Sequence, residues 1–205
     1  MTETSPTVTV QDAEMAFSKP GSAGKLALNA EARVVDENGK DVARGETGEL
    51  WVKGPNITPG YWNRPEANAE TITDGWLHTG DACRVDEEGH YFVVDRWKDM
   101  YISGGENVYP AEIESVLFQM PEIADLAIIG VPDDRWDEVG CAVVVVAPGK
   151  KLSTDDVVLY CQDKLARYKI PKHVVFMEEL PRNATGKVLK RVLKDEIGDL
   201  RRKAS

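Results

Sequence analysis

Residues 95–110, Asp-Arg-Trp-Lys-Asp-Met-Tyr-Ile-Ser-Gly-Gly-Glu-Asn-Val-Tyr-Pro, mark the place where the hydrophobic periodicity of the chain changes. Before them, residues 29–36, 49–54 and 83–95 alternate apolar and polar side chains around short turns, which is typical of antiparallel strands joined by hairpins. After them the pattern predicts helices at 110–119, 153–166 and 187–198, and strands at 123–131, 139–147 and 173–178. We therefore predict an α+β fold, with a small antiparallel β-barrel-like subdomain followed by a compact α+β domain.

Composition excludes several classes of protein. The chain has 205 residues, 42% of them hydrophobic, which is enough for one large domain or two small ones. A net charge of −10 disfavours nucleic acid or an anionic membrane as the main partner. Three cysteines without CxxC spacing and three scattered histidines predict neither a disulfide framework nor a zinc cluster. No apolar run is long enough to cross a bilayer and no signal peptide is visible, so we expect a cytoplasmic protein.

A lysine follows a tight turn near the C-terminal end. Residues 181–187 read Pro-Arg-Asn-Ala-Thr-Gly-Lys, and the pattern places Lys187 at the start of the last amphipathic helix with its ammonium free to meet an anion. Taken alone, the motif is explained better by a solvated lysine at a helix start.

Three further motifs carry possible chemistry. In Thr79-Gly80-Asp81 the carboxylate follows a predicted turn and could accept hydrogen bonds from vicinal hydroxyls, although an Asx-turn would also explain it. Arg96 follows an aspartate and could equally form a surface ion pair. Gly104-Gly105 would let a ligand approach the backbone closely, but two successive glycines are usually only a turn.

In this order and spacing, the motifs at 79–81, 95–107 and 181–187 resemble the C-terminal part of the adenylate-forming acyl-CoA synthetases, the AMP-binding enzymes. The resemblance covers nearly the whole chain and is nearest to bacterial fatty-acyl-CoA synthetases. It implies a ligase that uses ATP and Mg²⁺ to convert a fatty acid into an acyl-adenylate and then transfers the acyl group to CoA, releasing AMP and pyrophosphate.

The resemblance also implies residue roles in nucleotide chemistry. Lys187 would be catalytic and contact the substrate carboxylate and phosphate oxygens. Asp81 would hold the ribose of AMP, and Arg96 the same ribose or a nearby phosphate. Thr2 would contact a phosphate and Glu3 would help to hold magnesium.

The remaining roles concern CoA and domain movement. Lys98 matches the hinge of the family, and Gly104 and Gly105 match the loop that lines the tunnel for the CoA thiol. Trp136 could stack on the adenine of CoA, or be a packing residue. Lys172, with Arg167 and Lys169 nearby, could meet its phosphates, or belong to an ordinary basic helix end.

The resemblance divides the chain into three parts. Residues 1–28 would be a loop-like segment and 29–97 a β-rich subdomain, both belonging to a large N-terminal domain, while 98–205 would be a mobile C-terminal α+β domain. The phosphate loop and acid pocket are expected before Met1 in a longer protein. We therefore expect this portion alone to be inactive, with a frayed start and possible self-association through the exposed barrel surface.

Other functions stay open from the sequence. An aryl-CoA synthetase or a carrier-protein adenylation domain would carry the same downstream motifs. A truncated, non-catalytic module that binds a nucleotide or a partner is the alternative outside the enzyme class.

Overall fold

The computed structural model describes the backbone of residues 1–5 and 7–204, and side chains through residue 197 with the exception of position 6. The chain divides into two compact units, Met1–Lys98 and Asp99–Ser205. No helix in the described ranges has both the length and the apolar character needed to span a membrane.

The first unit is built on one antiparallel sheet. Its elements are β1 (Thr9–Val10), α1 (Ala13–Ser18), β2 (Gly24–Leu26), β3 (Glu31–Val35), β4 (Thr47–Lys53), α2 (Pro65–Thr71), β5 (Ile72–Thr73), β6 (Trp76–Val85) and β7 (His90–Arg96). The strand order is β1-β2-β7-β6-β4-β3, with β5 paired to β6. Alternate residues of β4, such as Leu50 and Val52, are buried and pack with Val34, Leu77 and Cys83 on one face of the sheet.

The second unit combines a mixed sheet with three helices. Its elements are β8 (Tyr101–Ser103), β9 (Glu106–Val108), α3 (Pro110–Leu117), β10 (Ile123–Asp133), β11 (Asp137–Val146), α4 (Thr154–Gln162), β12 (His173–Phe176) and α5 (Lys190–Ala204). The order is β10-β11-β8-β9, and β12 pairs with β11 in parallel.

Both faces of the β10–β11 hairpin are covered. Ile128 and Val144 belong to a core shared with α3 and α4, whereas Ile129 and Val143 belong to a second core shared with Leu193 of α5. Successive strand residues point to opposite faces, so burial on both sides requires the nearly continuous apolar runs seen in these strands. The α+β class and the predicted order of helices and strands are confirmed.

The start of α5 differs from the prediction. The helix begins at Lys190, because residues before it form a turn closed by an isolated bridge between Arg182 and Val188. Lys187 therefore lies in this turn and not at a helix start.

Replacing Leu193 with alanine tests the second core. Leu193 is fully buried, so the cavity left by Leu193→Ala should lower the free energy of unfolding by about 2–5 kcal/mol. Urea denaturation followed by circular dichroism measures the loss. Leu189→Ala is the matched control, since Leu189 is 36% exposed and should lose much less. Equal losses in the two variants would contradict the packing described.

Candidate functional site

The turn before α5 holds Lys187 by its backbone alone. The Asn183 side-chain oxygen accepts hydrogen bonds from the backbone N–H groups of Thr185 (3.0 Å) and Lys187 (2.9 Å), and the Asn183 N–H donates to the Lys187 carbonyl (2.9 Å). Arg182 ties the turn to Gly186 and to Asp125 at the start of β10. The Lys187 side chain is exposed, and none of the described residues pairs with its ammonium. A fixed backbone with an unpaired ammonium suits contact with an external anion.

Thr79-Gly80-Asp81 lies inside β6, so the predicted turn is wrong, and so is the Asx-turn alternative. Gly80 has φ +67°, and the β4–β6 register shifts between Glu49 and Trp51, which marks a bulge within the strand. The Glu49 carboxylate accepts a hydrogen bond from the Gly80 N–H (3.1 Å), and the Thr79 hydroxyl donates to a β4 carbonyl (2.7 Å). These two hydrogen bonds hold the bulge in place and thereby fix the backbone position of Asp81.

Asp81 and Arg96 are brought together by the sheet. They are register partners on β6 and β7, and Arg96 Nη1 donates to Asp81 Oδ1 at 2.5 Å. An ion pair this close to solvent contributes at most about 1 kcal/mol to the free energy of unfolding. Its effect on stability is therefore small. Asp81 also lines a pocket of about 310 Å³ with Cys83 and Tyr91. Burial raises the pKa of the Cys83 thiol to about 11, which keeps it protonated and unreactive at neutral pH.

The first residues are docked and not frayed, which corrects the expectation from sequence. Thr2–Thr4 form a 3-10 turn, and Thr4 is fully buried. Thr58 N–H donates to the Glu3 carbonyl (2.8 Å) and the Tyr61 hydroxyl donates to Glu3 Oε1 (2.9 Å). Thr2 is exposed in the same turn.

The Glu3 carboxylate is electrostatically prepared to remain ionised. Its own backbone N–H and the Tyr61 hydroxyl lower the pKa of Glu3, and the positive charge of Arg96 adds to this effect. No cluster of three metal-binding side chains occurs among residues with described side chains. One carboxylate is nevertheless sufficient for Mg²⁺, which is usually held by one or two carboxylates together with substrate phosphates.

Lys98 occupies a 3-10 turn, Trp97–Asp99, and is the last residue of the first unit. Its side chain is exposed.

Gly104 and Gly105 form the two-residue turn between β8 and β9. Their φ values are +61° and +87°, as a type I′ hairpin requires. The Gly104 N–H donates to the Trp136 carbonyl (3.0 Å), and a Cβ on Gly104 would lie 2.7 Å from Trp136 Cε3. The absence of a side chain at Gly104 is therefore what allows the indole to cover this turn.

Two cations flank the same indole. Lys172 Nζ lies 5.5 Å from the ring centroid of Trp136, and Arg135 Cζ lies 4.8 Å from it. Arg167 and Lys172 line a groove of about 630 Å³, whereas Lys169 is paired with Glu112 at 2.7 Å. The structure thus joins Gly104, Trp136 and Lys172. The sequence analysis did not single out Arg135, although its position next to Trp136 in the chain could have indicated the contact.

Two family models match the chain. The model described as AMP-binding enzyme matches residues 1–62, and the model described as AMP-binding enzyme C-terminal domain matches residues 112–187.

Named relatives are similar over almost the whole chain. A feruloyl-CoA synthase from Amycolatopsis is 48% identical over 97% of this chain and 40% of its own length. The o-succinylbenzoate CoA synthetase of Bacillus subtilis, solved with its acyl-adenylate intermediate, is 41% identical with a TM-score of 0.86, over 95% of this chain and 40% of that one. Other structures of that enzyme hold AMP, or ATP and magnesium. A fatty acyl CoA synthetase of Mycobacterium tuberculosis is 44% identical with a TM-score of 0.58, over 96% of this chain and 39% of that one. The chain therefore spans about 40% of the length of these relatives.

Alanine substitutions in the glycine turn separate backbone strain from the contact with Trp136. Gly105→Ala should cost about 1–2 kcal/mol of unfolding free energy, because φ is positive but no atom lies within 4 Å of the added Cβ. Gly104→Ala adds the overlap with Trp136, so it should cost more and shift the Trp136 indole N–H resonance. Denaturation curves and NMR spectra of the two variants measure both effects. Equal costs with an unmoved indole would contradict the contact.

Proposed function

The chain belongs to the AMP-binding enzymes, the adenylate-forming family, and on this premise we propose that it is the C-terminal portion of an ATP- and CoA-dependent acid–CoA ligase. In the reaction a carboxylate attacks the α-phosphate of ATP, the bond to pyrophosphate breaks, and an acyl-adenylate forms. The CoA thiol then attacks the acyl carbon, loses its proton and releases AMP.

The observation that carries the proposal is the exposed Lys187 ammonium on a hydrogen-bonded turn. Negative charge builds on the phosphate oxygens during adenylation, and an ammonium whose backbone is already fixed can stabilise it with little reorganisation. Lys187 is accordingly assigned to the first half-reaction.

The first unit supplies the nucleotide contacts in this proposal. Asp81 accepts hydrogen bonds from the ribose hydroxyls, and Arg96 holds its carboxylate in place while remaining available to ribose or phosphate. Thr2 donates to a phosphate. Glu3 is the residue that would hold Mg²⁺, which when bound offsets the charge of the phosphates.

The second half-reaction is assigned to the glycine turn. Gly104 and Gly105 line the route of the CoA thiol, Trp136 meets the adenine of CoA, and Lys172 meets a phosphate. Lys172 remains 46% exposed, so its ammonium is accessible to such a ligand.

The placement of the two loops supports a rotation of the second unit about Lys98. The lysine turn is attached at Asp125, at one end of β10. The glycine turn lies against Trp136, three residues after Asp133 at the other end. These two aspartates stand eight residues apart on β10, roughly 26 Å at about 3.3 Å per residue. Attachment points this far apart keep the two loops at opposite ends of β10, which supports a turn of the unit between the half-reactions. In this proposal residues 1–28 and the barrel-like 29–97 belong to the N-terminal domain, and 98–205 form the mobile domain.

Two classes of carboxylic acid are candidate substrates. The motifs resemble fatty-acyl-CoA synthetases, and the similarity to the Mycobacterium tuberculosis enzyme supports a fatty acid. The relatives named for feruloyl and o-succinylbenzoate support an aromatic acid. Pyrophosphate exchange with fatty acids, ferulate and 2-succinylbenzoate, using a polypeptide that completes the length of the relatives, decides between them. Failure with every acid, combined with retained AMP binding, would favour a non-catalytic module.

Lys187→Ala tests the division of labour in that polypeptide. Adenylation should fall by about 10²–10³-fold, the usual effect of losing one preorganised contact to a developing charge. Thioester formation from a presynthesised acyl-adenylate should change little. Lys151→Ala, which removes another exposed lysine of the same unit, is the control. An equal fall in both half-reactions would show that Lys187 does not serve adenylation selectively.

Lys98→Pro tests the pivot. Proline fixes φ at about −65°, so Lys98→Pro should hold the second unit in one orientation and impair one half-reaction, thioester formation, far more than the other. Lys98→Ala removes the side chain but leaves the backbone free, and should retain both activities. Rates of the two half-reactions provide the measurement, and an unchanged ratio in the proline variant would place the pivot elsewhere.

A further inference from the structure

Asp133 connects the parts of the second unit that the proposed function assigns to CoA. It lies at the end of β10, where Oδ1 accepts hydrogen bonds from the backbone N–H groups of Arg135 (3.0 Å) and Trp136 (3.1 Å). Its other oxygen, Oδ2, lies 3.3 Å from Lys172 Nζ. One carboxylate therefore shapes the turn that carries Trp136 and also holds the lysine next to it.

The connection continues into the glycine turn. The Trp136 carbonyl accepts the Gly104 N–H, and the indole lies against Gly104 where a Cβ would overlap it. Asp133 thus fixes the position of Trp136, and Trp136 in turn covers Gly104. Asp133 and Trp136 together thus join three segments that are far apart in sequence.

The charge of Asp133 is maintained at neutral pH. The backbone hydrogen bond from Arg135 is the largest cause that lowers the pKa of this carboxyl group, and the Lys172 ammonium adds to it. The side chain of Asp133 is 18% exposed, compared with 46% for Lys172. An ammonium has three N–H donors, so Lys172 can bond to Asp133 and still offer donors to a phosphate.

We propose that Asp133 is a positioning residue for the thioester half-reaction, acting through Trp136 and Lys172 without touching CoA itself. The inference rests on the proposed function. Its specific content is that loss of Asp133 weakens the use of CoA and leaves adenylation intact, because the lysine turn is attached at the other end of β10.

The chain offers a matched control in the neighbouring residue. Asp134 is exposed, and none of the residues with described side chains makes a hydrogen bond or ion pair with its carboxylate. Asp134→Asn therefore removes the same charge from the same turn without removing these contacts. Asp133→Asn keeps an acceptor for the two backbone N–H groups but loses the ion pair, and Asp133→Ala loses both.

The experiment uses the polypeptide that completes the length of the relatives and measures KM for CoA and kcat of thioester formation. Pyrophosphate exchange is the separate readout for adenylation. Asp133 acts on CoA only through its coupling to Trp136 and Lys172, so we expect KM for CoA to rise about tenfold in Asp133→Asn and further in Asp133→Ala. Pyrophosphate exchange should stay within about twofold, and Asp134→Asn should match the parent. Asp133→Asn behaving like Asp134→Asn, or a parallel fall of both half-reactions, would overturn the proposal.

The Trp136 indole N–H resonance of the 205-residue chain provides an independent readout. It should shift in Asp133→Ala and remain in place in Asp134→Asn, and an unmoved resonance in both would refute the structural connection. If the parent forms no thioester from any acid, the proposed function fails and the positioning role of Asp133 fails with it, whatever the resonance shows.

Discussion

The β10–β11 hairpin is the constraint on which the second unit depends. Its strands pair in antiparallel register from Ile123 with Val146 to Asp133 with Asp137, and helices cover both faces. Because each face is buried, a slip of one residue would place every core side chain on the wrong side of the sheet. The register thereby fixes the two ends of β10, and with them the lysine turn and the Trp136 turn.

The sheet of the first unit sets its site in a similar way. Asp81 and Arg96 face each other because β6 pairs with β7, and the bulge at Gly80 is held by Glu49 on the adjacent strand. Glu49 also accepts a hydrogen bond from the Trp51 indole (2.8 Å), so the bulge is tied to the neighbouring packing. Asp81 and Arg96, a polar pair near solvent, are in this way positioned by residues of the adjacent strand.

The sequence alone predicts those helices and strands whose hydrophobic pattern follows from their burial. The apolar runs of β10 and β11 and the amphipathic patterns of α3 and α4 predicted those elements because their packing requires such runs. The bulge in β6 was read as a turn, since a glycine with positive φ suits either structure and only strand pairing separates them. The start of α5 was misplaced because the Asn183 side chain closes a turn that a helical pattern does not reveal. Docking of Glu3 on Tyr61 joins residues far apart in sequence, and no local pattern reports such a contact.

The central claim is that two loops of one rigid unit serve two half-reactions in turn. Spin-label distances from residue 87 in the first unit to residue 184 in the lysine turn and to residue 106 beside the glycine turn test it directly, since all three side chains are exposed. The measurement uses the polypeptide that completes the length of the relatives, first with a stable acyl-adenylate analogue and then with CoA added. The account predicts that both distances change between the two states, because the second unit turns about Lys98. Two distances that stay the same in both states would contradict it.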